Sequence, residues 1–468
     1  MYSKVNTNTS SIEVRKDEEQ ELGLEVLKLP IKEKDLPPVI RQIVTNAPAN
    51  RKVPSFIACL APLCALATRV RLNYYYDGKR PSALLLHVII EGAQSVGKSF
   101  AADIEKLLMN DTLKARDKVQ RRMEQEYREK KKRRKANEKL EEEPQTTIRV
   151  IPATISKTVL VKRADSYERN LGDVLTFWMF ADELAQVTDA GKQGYSNLRT
   201  IMRSAWDLGS LFGLDFASDN SYSAIVDINI CSMFCATPSA VDRYMDNESI
   251  EGGNITRTTL CQLNDELGSD GAIFQPYSEE QKQEIDTILQ LIMHDTYDAD
   301  GNLQPTLLLD TSWIDNDVIR WCRNKGKESL QCGSKAIDTF RKRSSASAFR
   351  TMSLCYYLYQ KEGLDEVTAQ RRCRKIYRWM ADYTLEMLLK RWGHRFEELQ
   401  AKRHESEITA ERNRPRLIDR LSKDFTREQL RNLMEELKVC SPDRVLISQW
   451  KANHWIEQID KFQYRKLI

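Results

Sequence analysis

No stretch of the 468 residues is apolar for long enough to cross a membrane. The most hydrophobic run, Ser55 to Val70, is interrupted by Pro62 and falls short of the ~20 residues a spanning helix needs. It reads as a pair of short buried helices. The N-terminus, MYSKVNTNTS, lacks the apolar segment of a secretory signal, so the expected location is the cytoplasm, with thiols reduced. The ten cysteines include no CxxC pair. Cys59, Cys64, Cys231, Cys235 and Cys355 sit in apolar company, which favours small buried side chains over zinc or redox chemistry. A dominant charge is also missing: Lys+Arg 72 against Asp+Glu 68 leaves a net charge of +4, so whole-chain electrostatics specify no partner and local charge has to.

What is present is a soluble-type composition, 41% hydrophobic and 30% charged, in a chain long enough for about three domains. Residues 1–50 are polar and punctuated by Pro30, Pro37, Pro38 and Pro48, and read as a tail or strap. From Ala83 the run Ala-Leu-Leu-Leu-His-Val-Ile-Ile has the length and continuity of a strand covered on both faces. Lys98 to Glu143 contains neither glycine nor proline and favours helix throughout. One unbroken helix there would run roughly 69 Å, and the few residues from Pro144 cannot bring the chain back to the next strand, Ile148 to Ile151. A break at Asn110-Asp111 and another within the charged part make residues 111–143 a protruding helical hairpin. Further strands at Val174 to Ala181 and Ala224 to Cys235, with a helix around Ser196 to Trp206 between them, imply a mostly parallel sheet covered by helices. Beyond Glu279 the pattern is helical. The expected organisation is a tail (1–50), an α/β core (51–280), a helical domain (281–411) and a C-terminal module (412–468).

Gly92-Ala93-Gln94-Ser95-Val96-Gly97-Lys98-Ser99 fits G-x-x-x-x-G-K-[ST] without deviation, and it has a buried strand before it and a helix after it. In such a loop the backbone N–H groups and the helix N-terminus, through Phe100, cradle the phosphates of ATP. Lys98 reaches the β and γ phosphates, and the Ser99 hydroxyl ligates Mg2+. The apolar strand Thr176-Phe-Trp-Met-Phe-Ala181 ends in Asp182-Glu183, as a Walker B element does. Asp182 would hold Mg2+ through water and Glu183 would polarise the attacking water. Phe234-Cys-Ala-Thr237-Pro238 offers Thr237 at a strand tip as a γ-phosphate sensor, with Ser232 or Ser239 as alternates and an ordinary loop threonine as the competing reading. Arg257, after Glu251-Gly-Gly-Asn-Ile-Thr256, would serve as an arginine finger reaching a neighbouring subunit or would be a surface arginine. Arg350 would be a second nucleotide sensor or the polar edge of its helix.

The helical lead-in with Pro54, the GxxxxGKS loop, the charged insert, the FWMFADE strand, the FCATP strand end and the Gly-Gly-x-x-x-Arg segment together resemble a family of P-loop primase/helicase-associated ATPases of bacterial plasmids, phages and conjugative or mobilisable elements. The resemblance covers roughly Pro48 to Gly393. It departs from the family at Arg257-Thr258, where members usually have Arg-Phe. It implies a P-loop NTPase core of RecA/AAA type, a ring-forming homo-oligomer, and DNA as the partner, with replication or transfer proteins beside it; fewer than 100 residues precede the loop, so the primase-type domain that members often carry upstream is not expected here.

Local charge points the same way. Arg128 to Lys135 is the strongest basic run, either a solvated hairpin salt-bridged to Glu124, Glu126 and the acidic stretch Glu138 to Glu143 or a contact for a phosphate backbone. In the last fifty residues, Pro415 to Asp424 reads as one helix and Thr426 to Lys438 as a second, with a Thr426-x-x-Gln429 capping box. A third begins at Ser441-Pro442, and a hairpin follows from Trp455. Three helices and a hairpin make a winged helix. Its expected DNA-binding residues are Arg444, Lys451, Arg465 and Lys466, on one exposed face, with Val445, Ile447 or Leu446, and Trp450 inward. The sequence is thus read as an ATP-hydrolysing, DNA-associated motor of helicase type, hexameric, acting on single-stranded or forked DNA of a mobile genetic element. An ATP-dependent regulatory or adaptor protein assembled on DNA is the first alternative, and a small-molecule kinase the second.

Overall fold

Strand-length apolar runs alternating with one-sided helices leave each sheet face needing a cover, and the chain meets that need with a layered α/β arrangement. The computed structural model describes residues 26–74, 77–134, 142–185, 198–215, 222–264, 271–413, 417–436 and 442–467. Its strands in chain order begin with β1 (Val70–Tyr74), β2 (Asp77–Ala83), β3 (His87–Glu91), β4 (Val150–Pro152) and β5 (Thr176–Ala181). They continue with β6 (Leu211–Leu214), β7 (Ala224–Asp227), β8 (Asn229–Ala236), β9 (Thr258–Gln262) and β10 (Leu307–Leu309). Five of them form an all-parallel sheet in the order β4-β5-β8-β3-β9. Every residue of β3 and β8 is buried, as a strand covered on both faces requires.

The chain has two compact units, Met1–Glu397 and Glu398–Ile468. The first spans both sides of residue 280. β10 pairs in parallel with β1, and the helix Glu279–His294 is tied to the helix Pro38–Thr45, since Arg41 and Gln42 both donate to Glu284. The second begins ahead of residue 412. Among the described residues no helix is long and apolar enough to cross a membrane.

Four expectations are corrected. The Ser55 to Val70 run is one helix, Lys52–Leu66, which continues through Pro62. Its residues from Val53 to Leu66 are all buried, so packing on every side offsets the hydrogen bond that Pro62 cannot donate. From Val26 onward the chain is no tail. Leu36, Val39, Ile40, Ile43 and Val44, spaced as one helical face, are fully buried, while Trp379 Nε1 donates to Val26 O at 3.0 Å and Tyr359 Oη to Asp35 O at 2.6 Å. The flanking prolines hid that periodicity. Residues 1–25 lie outside the described residues.

The third correction concerns the charged insertion. The break falls where expected, as a π-type turn at Asn110–Lys114 with Thr112 off helical geometry, and the helix Ala115–Arg133 leads out. The second limb of the expected hairpin falls on residues outside those described. Residues 135–141 lie outside the described residues, and 142–149 run back as non-helical chain along the outgoing helix, with Thr147 N donating to Gln120 Oε1 and Thr146 Oγ1 to Glu124. The base of the segment is not an appendage. Buried Asp117 accepts from Arg149 N at 2.8 Å and Val150 N at 2.6 Å, so it aligns β4, and fully buried Arg149 donates from Nε to Thr176 O at 2.9 Å. Excising 111–143 would therefore unpin a sheet strand. The fourth correction is that Ala224 to Cys235 is two strands: β7 pairs antiparallel with β6, outside the main sheet, and β8 lies within it.

His87, in β3, is fully enclosed, with Nδ1 3.1 Å from Ser232 Oγ and Nε2 3.0 Å from Met202 O. Burial, reinforced by the Arg350 and Arg257 cations, lowers its pKa to about 3. Below its ordinary pKa the unfolded chain takes up a proton that the folded chain refuses until about pH 3, so stability falls as pH drops through that window. By pH 4.5 the loss from this group is about 2–3 kcal/mol. Urea midpoints at pH 7 and 4.5 should therefore separate less in His87→Asn than in the wild type, and equal separation would show that His87 does not drive the acid sensitivity.

Candidate functional site

In a parallel sheet a ligand crevice opens at the carboxyl ends of the strands where the order reverses, and here that point is β3, with β8, β5 and β4 on one side and β9 on the other. The loop Gly92 to Lys98 leaves β3 at that edge and enters the helix Ser99–Met109. Its backbone is unusual at two positions: Ser95 has φ 64° and Gly97 φ 80°, left-handed conformations of the kind that, alternating with right-handed ones, let a loop aim successive N–H groups at an anion. A Cβ at Gly92 would lie 2.6 Å from Val96 Cγ1 and 3.2 Å from Leu263 Cβ, so only glycine fits where the loop closes on itself. The Lys98 ammonium folds across the loop, donating to Gly92 O at 2.9 Å and Ala93 O at 2.5 Å. Phe100 is buried and stacks on Phe274 at 5.6 Å, which leaves its backbone N–H, not its side chain, for any ligand.

The other predicted residues come to the same edge because the strands are in register. Glu91 is level with Ala236, and Ala181 with Phe234, so Asp182-Glu183 and Thr237 emerge beside the loop. Leu184 N donates to Cys235 O at 2.8 Å, which fixes the acidic pair against β8. Cys235, its thiol pushed up to about 12 by burial, feels both the Lys98 and the Asp182 charge, a measure of how near these two lie to one sulfur. Ser99, Asp182 and Glu183 are exposed. The Thr237 hydroxyl caps the helix Pro238–Tyr244, accepting from Ala240 N at 3.4 Å, and lies 3.2 Å from Ser239 Oγ. Ser232 is bonded to His87 in mid-strand and is not at the tip.

Arg257 and Arg350 do not join this site. Arg257 lies in the turn Ile255–Arg257 just before β9, and Arg350 Nη1 donates to Leu85 O at 2.9 Å just before β3, so both belong to the amino ends of the strands, opposite the loop. Arg350 also donates to Trp206 O at 2.8 Å, and its guanidinium lies 3.7 Å over the Trp206 ring. Arg257 bonds Gly253 O at 3.1 Å, and its side chain is only 16% exposed. Burial lowers the pKa of each to about 10. Asp207 is shared among Arg257, Arg343 and Arg350. Arg257 is therefore drawn inward and is not a surface arginine, and Arg350, buried at the far end of the sheet from the loop, is neither a sensor for that loop nor a polar edge. A glycine pair before an arginine suggested an exposed loop, but Trp206 supplies a face that draws the guanidinium inward.

Two groups that hold the loop were missed. Buried Arg51 donates from Nη2 to Val96 O at 2.8 Å. Glu91, 3% exposed at the foot of the loop, accepts from Gln262 Nε2 at 2.9 Å and from Arg391 Nε at 3.0 Å, while Arg391 Nη2 reaches Asp242 at 2.8 Å. Arg391 comes from the π-type turn Leu389–Gly393 between two long helices, a local irregularity of the kind found at functional sites. A buried acid ending an apolar strand was the signal, but its partner lies 300 residues away. Arg391→Ala would leave that carboxylate buried without its cation and should cost about 3 kcal/mol. Glu91→Gln with Arg391→Met should recover most of it in a denaturant double-mutant cycle; strict additivity would refute the coupling.

In the C-terminal unit, the turn Leu417–Arg420 and strand β11 (Asp424–Thr426) replace the first expected helix. Residues 414–416 lie outside the described residues. The helices Arg427–Glu436 and Asp443–Ala452 follow, then β12 (Ile456–Asp460) and β13 (Gln463–Lys466), in a sheet of order β11-β13-β12. The capping box forms: Thr426 N donates to Gln429 Oε1 at 2.8 Å and Gln429 N to Thr426 Oγ1 at 3.2 Å. Ile447 and Trp450 are buried and Leu446 packs on them, but Val445 is 42% exposed, against expectation, because the helix turns it away from that cluster.

The four expected DNA contacts do not share one face. Glu457 and Asp424 lie opposite Arg465 in the sheet and both pair with it, at 3.6 Å and 2.8 Å, whereas Ile456 opposite Lys466, and Tyr464, are buried on the other face. Lys451 bonds Gln458, level with Tyr464, so Lys451 and Lys466 belong to one side of the sheet and Arg465 to the other. Arg444 is exposed on its helix. No family model matches the chain, and no curated protein is significantly similar to it.

Proposed function

We propose that the chain is an ATP-hydrolysing, DNA-associated protein with a P-loop NTPase core, of helicase type and serving a mobile genetic element, as the sequence resemblance implies. The observation that carries the reading is the convergence at one sheet edge of the Gly92 to Ser99 loop, Asp182-Glu183 and Thr237. The residues fit ATP and Mg2+: a turned loop with no room for a side chain at Gly92, an ammonium across it, a helix N-terminus behind it, and a hydroxyl and carboxylates beside it. Ser99 and Asp182 would hold the ion, which supplies charge neutralisation at the phosphates. Lys98 would exchange its carbonyl partners for phosphate oxygens. Glu183 would take the proton of the attacking water as the phosphate is released, and the Thr237 hydroxyl proton, not needed for helix capping, stays available to a phosphate oxygen.

A homo-oligomer, hexameric in this reading, remains part of the proposal, and within it Arg257 would have to leave Gly253 O and Asp207 to reach a neighbour's nucleotide. The C-terminal unit resembles a winged helix in its helix–helix–hairpin order. One observation favours the adaptor alternative, in which ATP drives assembly on DNA without unwinding. Residues 417–468 carry ten Lys/Arg against eight Asp/Glu, and Arg465 is already paired, which suits protein docking as well as DNA. Strand displacement on a forked duplex, with ATP, separates the two: unwinding supports the motor, and ATP-dependent retention on the fork without displacement supports the adaptor.

A further inference from the structure

A second basic surface lies in the first unit, and the segment at its floor, Ala49 to Val53, also carries Arg51, which bonds Val96 O of the loop. The segment from Leu27 to Asp35 and the first half of the helix Glu366–Leu388 form the two walls of a groove, with Ala49 to Val53 between them. Lys28, Lys32 and Lys34 line one wall, and Arg371 and Lys375 the other. All five are exposed and, among the described residues, none is drawn into a salt bridge, although the Arg371 charge helps to lower the pKa of Asp365 at the start of its helix. The two carboxylates in the groove are already taken: Glu33 pairs with Lys52 and Asp35 with Arg372, the latter at 2.5 Å. Arg371 and Lys375, one helical turn apart, lie about 6 Å apart along the helix axis.

Exposed cations ordinarily alternate with acids or spread over a convex face. Here five converge on a concavity whose acids are neutralised in place. Both walls are also fixed: Trp379 Nε1 holds Val26 O, and Tyr359 Oη holds Asp35 O, so the wall segment is anchored at each end to the helical layer. A polyanion entering such a groove finds preset positive charge on both sides and pays little ordering cost. Leu27, Pro30, Ile31 and Val53 give the groove apolar lining without an aromatic plane or a hydrogen-bonding set that would select one base.

We propose that this groove binds the phosphodiester backbone of single-stranded nucleic acid, without sequence preference, as a site separate from the C-terminal unit. The inference deepens the reading of the chain as DNA-associated and rests on it. A single strand can meet both walls with successive phosphates, whereas a duplex would bridge the rims and satisfy one wall at a time.

The test is fluorescence anisotropy of the full-length chain, without nucleotide, on labelled oligo-dT, oligo-U and a blunt duplex across a salt series. Arg371→Glu with Lys375→Glu alters one wall, and Lys32→Glu with Lys34→Glu the other. Arg323→Glu with Lys327→Glu, an exposed pair on the helix Asp315–Cys332, makes the same change in net charge elsewhere. Either groove variant should bind oligo-dT roughly 25-fold more weakly at 0.1 M salt, with a log–log salt slope shallower by about 1.4, while the control pair stays near wild type. Comparable losses on oligo-U would assign the site to the phosphodiester backbone shared by DNA and RNA; a loss on oligo-dT alone would restrict it to DNA. Unchanged slopes in both groove variants, an equal loss in the control, or a larger effect on duplex than on single strands would overturn the groove. If the wild type binds none of the three probes, the DNA-associated reading falls with it, whereas binding by the wild type with unaltered groove variants removes the groove alone.

Discussion

Lys98→Ala is expected to weaken binding of Mg-ATP roughly 10- to 150-fold, the value of a charge-assisted contact at about 1.5–3 kcal/mol. Glu183→Gln should bind Mg-ATP like the wild type but turn it over 10²- to 10⁴-fold more slowly, roughly the worth of one general base. The two differ because of where the side chains stand. The Lys98 ammonium lies across the loop, in contact with Gly92 O and Ala93 O, where it meets any phosphate held by the loop. Glu183 sits two residues beyond β5 and is exposed, where solvent can reach it. Calorimetric titration with Mg-ATP and phosphate-release kinetics read the two effects separately. Equal affinity in wild type and Lys98→Ala would remove the loop from the account, and full turnover in Glu183→Gln would move the base to another residue.

Arg350→Met should act in the opposite way, with a large loss of stability and unchanged nucleotide affinity. The guanidinium holds Leu85 O and Trp206 O, the latter beside the Trp206 face it covers. Methionine fills the volume but leaves both carbonyls without donors and removes one of the cations around Asp207. Breaking such a buried set from one side costs about 3–5 kcal/mol, which should lower the melting temperature by several degrees. An Arg350→Met protein that melts like the wild type but hydrolyses ATP poorly would return Arg350 to the role of nucleotide sensor.

These two residues also mark what the sequence discloses and what it hides. The loop is legible because its constraint is local: glycine at 92 and 97, lysine at 98 and the apolar strand before them leave one backbone path. The ends of β5 and β8 are legible for a similar reason, since a fully apolar run stops where the sheet stops, and in a parallel sheet the stops align. Arg257, Arg350 and Arg391 are not legible, because the fate of a cation depends on partners distant in sequence. Trp206 and Asp207 take the first two, and Glu91 takes the third. The docking of the base of the charged helix was not legible because it is made by single side chains, Gln120, Asp117 and Glu124, that carry no periodic signal. The C-terminal module disclosed the helix Arg427–Glu436 through its Thr426 cap, but the helix Asp443–Ala452 starts one residue later than its proline suggested, with no side-chain cap bond, and β11 is a three-residue strand whose place is set by pairing with β13.

The central claim is that the edge formed by the loop, Asp182-Glu183 and Thr237 hydrolyses ATP. It is tested most directly by measuring release of inorganic phosphate from γ-labelled ATP by the full chain with Mg2+, alone and with single-stranded or duplex DNA, beside Glu183→Gln. The account predicts that the label appears as free phosphate with the wild type, that chelating Mg2+ stops its release, and that Glu183→Gln binds ATP yet releases almost none. A folded wild-type chain that binds Mg-ATP but releases no phosphate under any of these conditions, or that delivers the label to another acceptor, would contradict it.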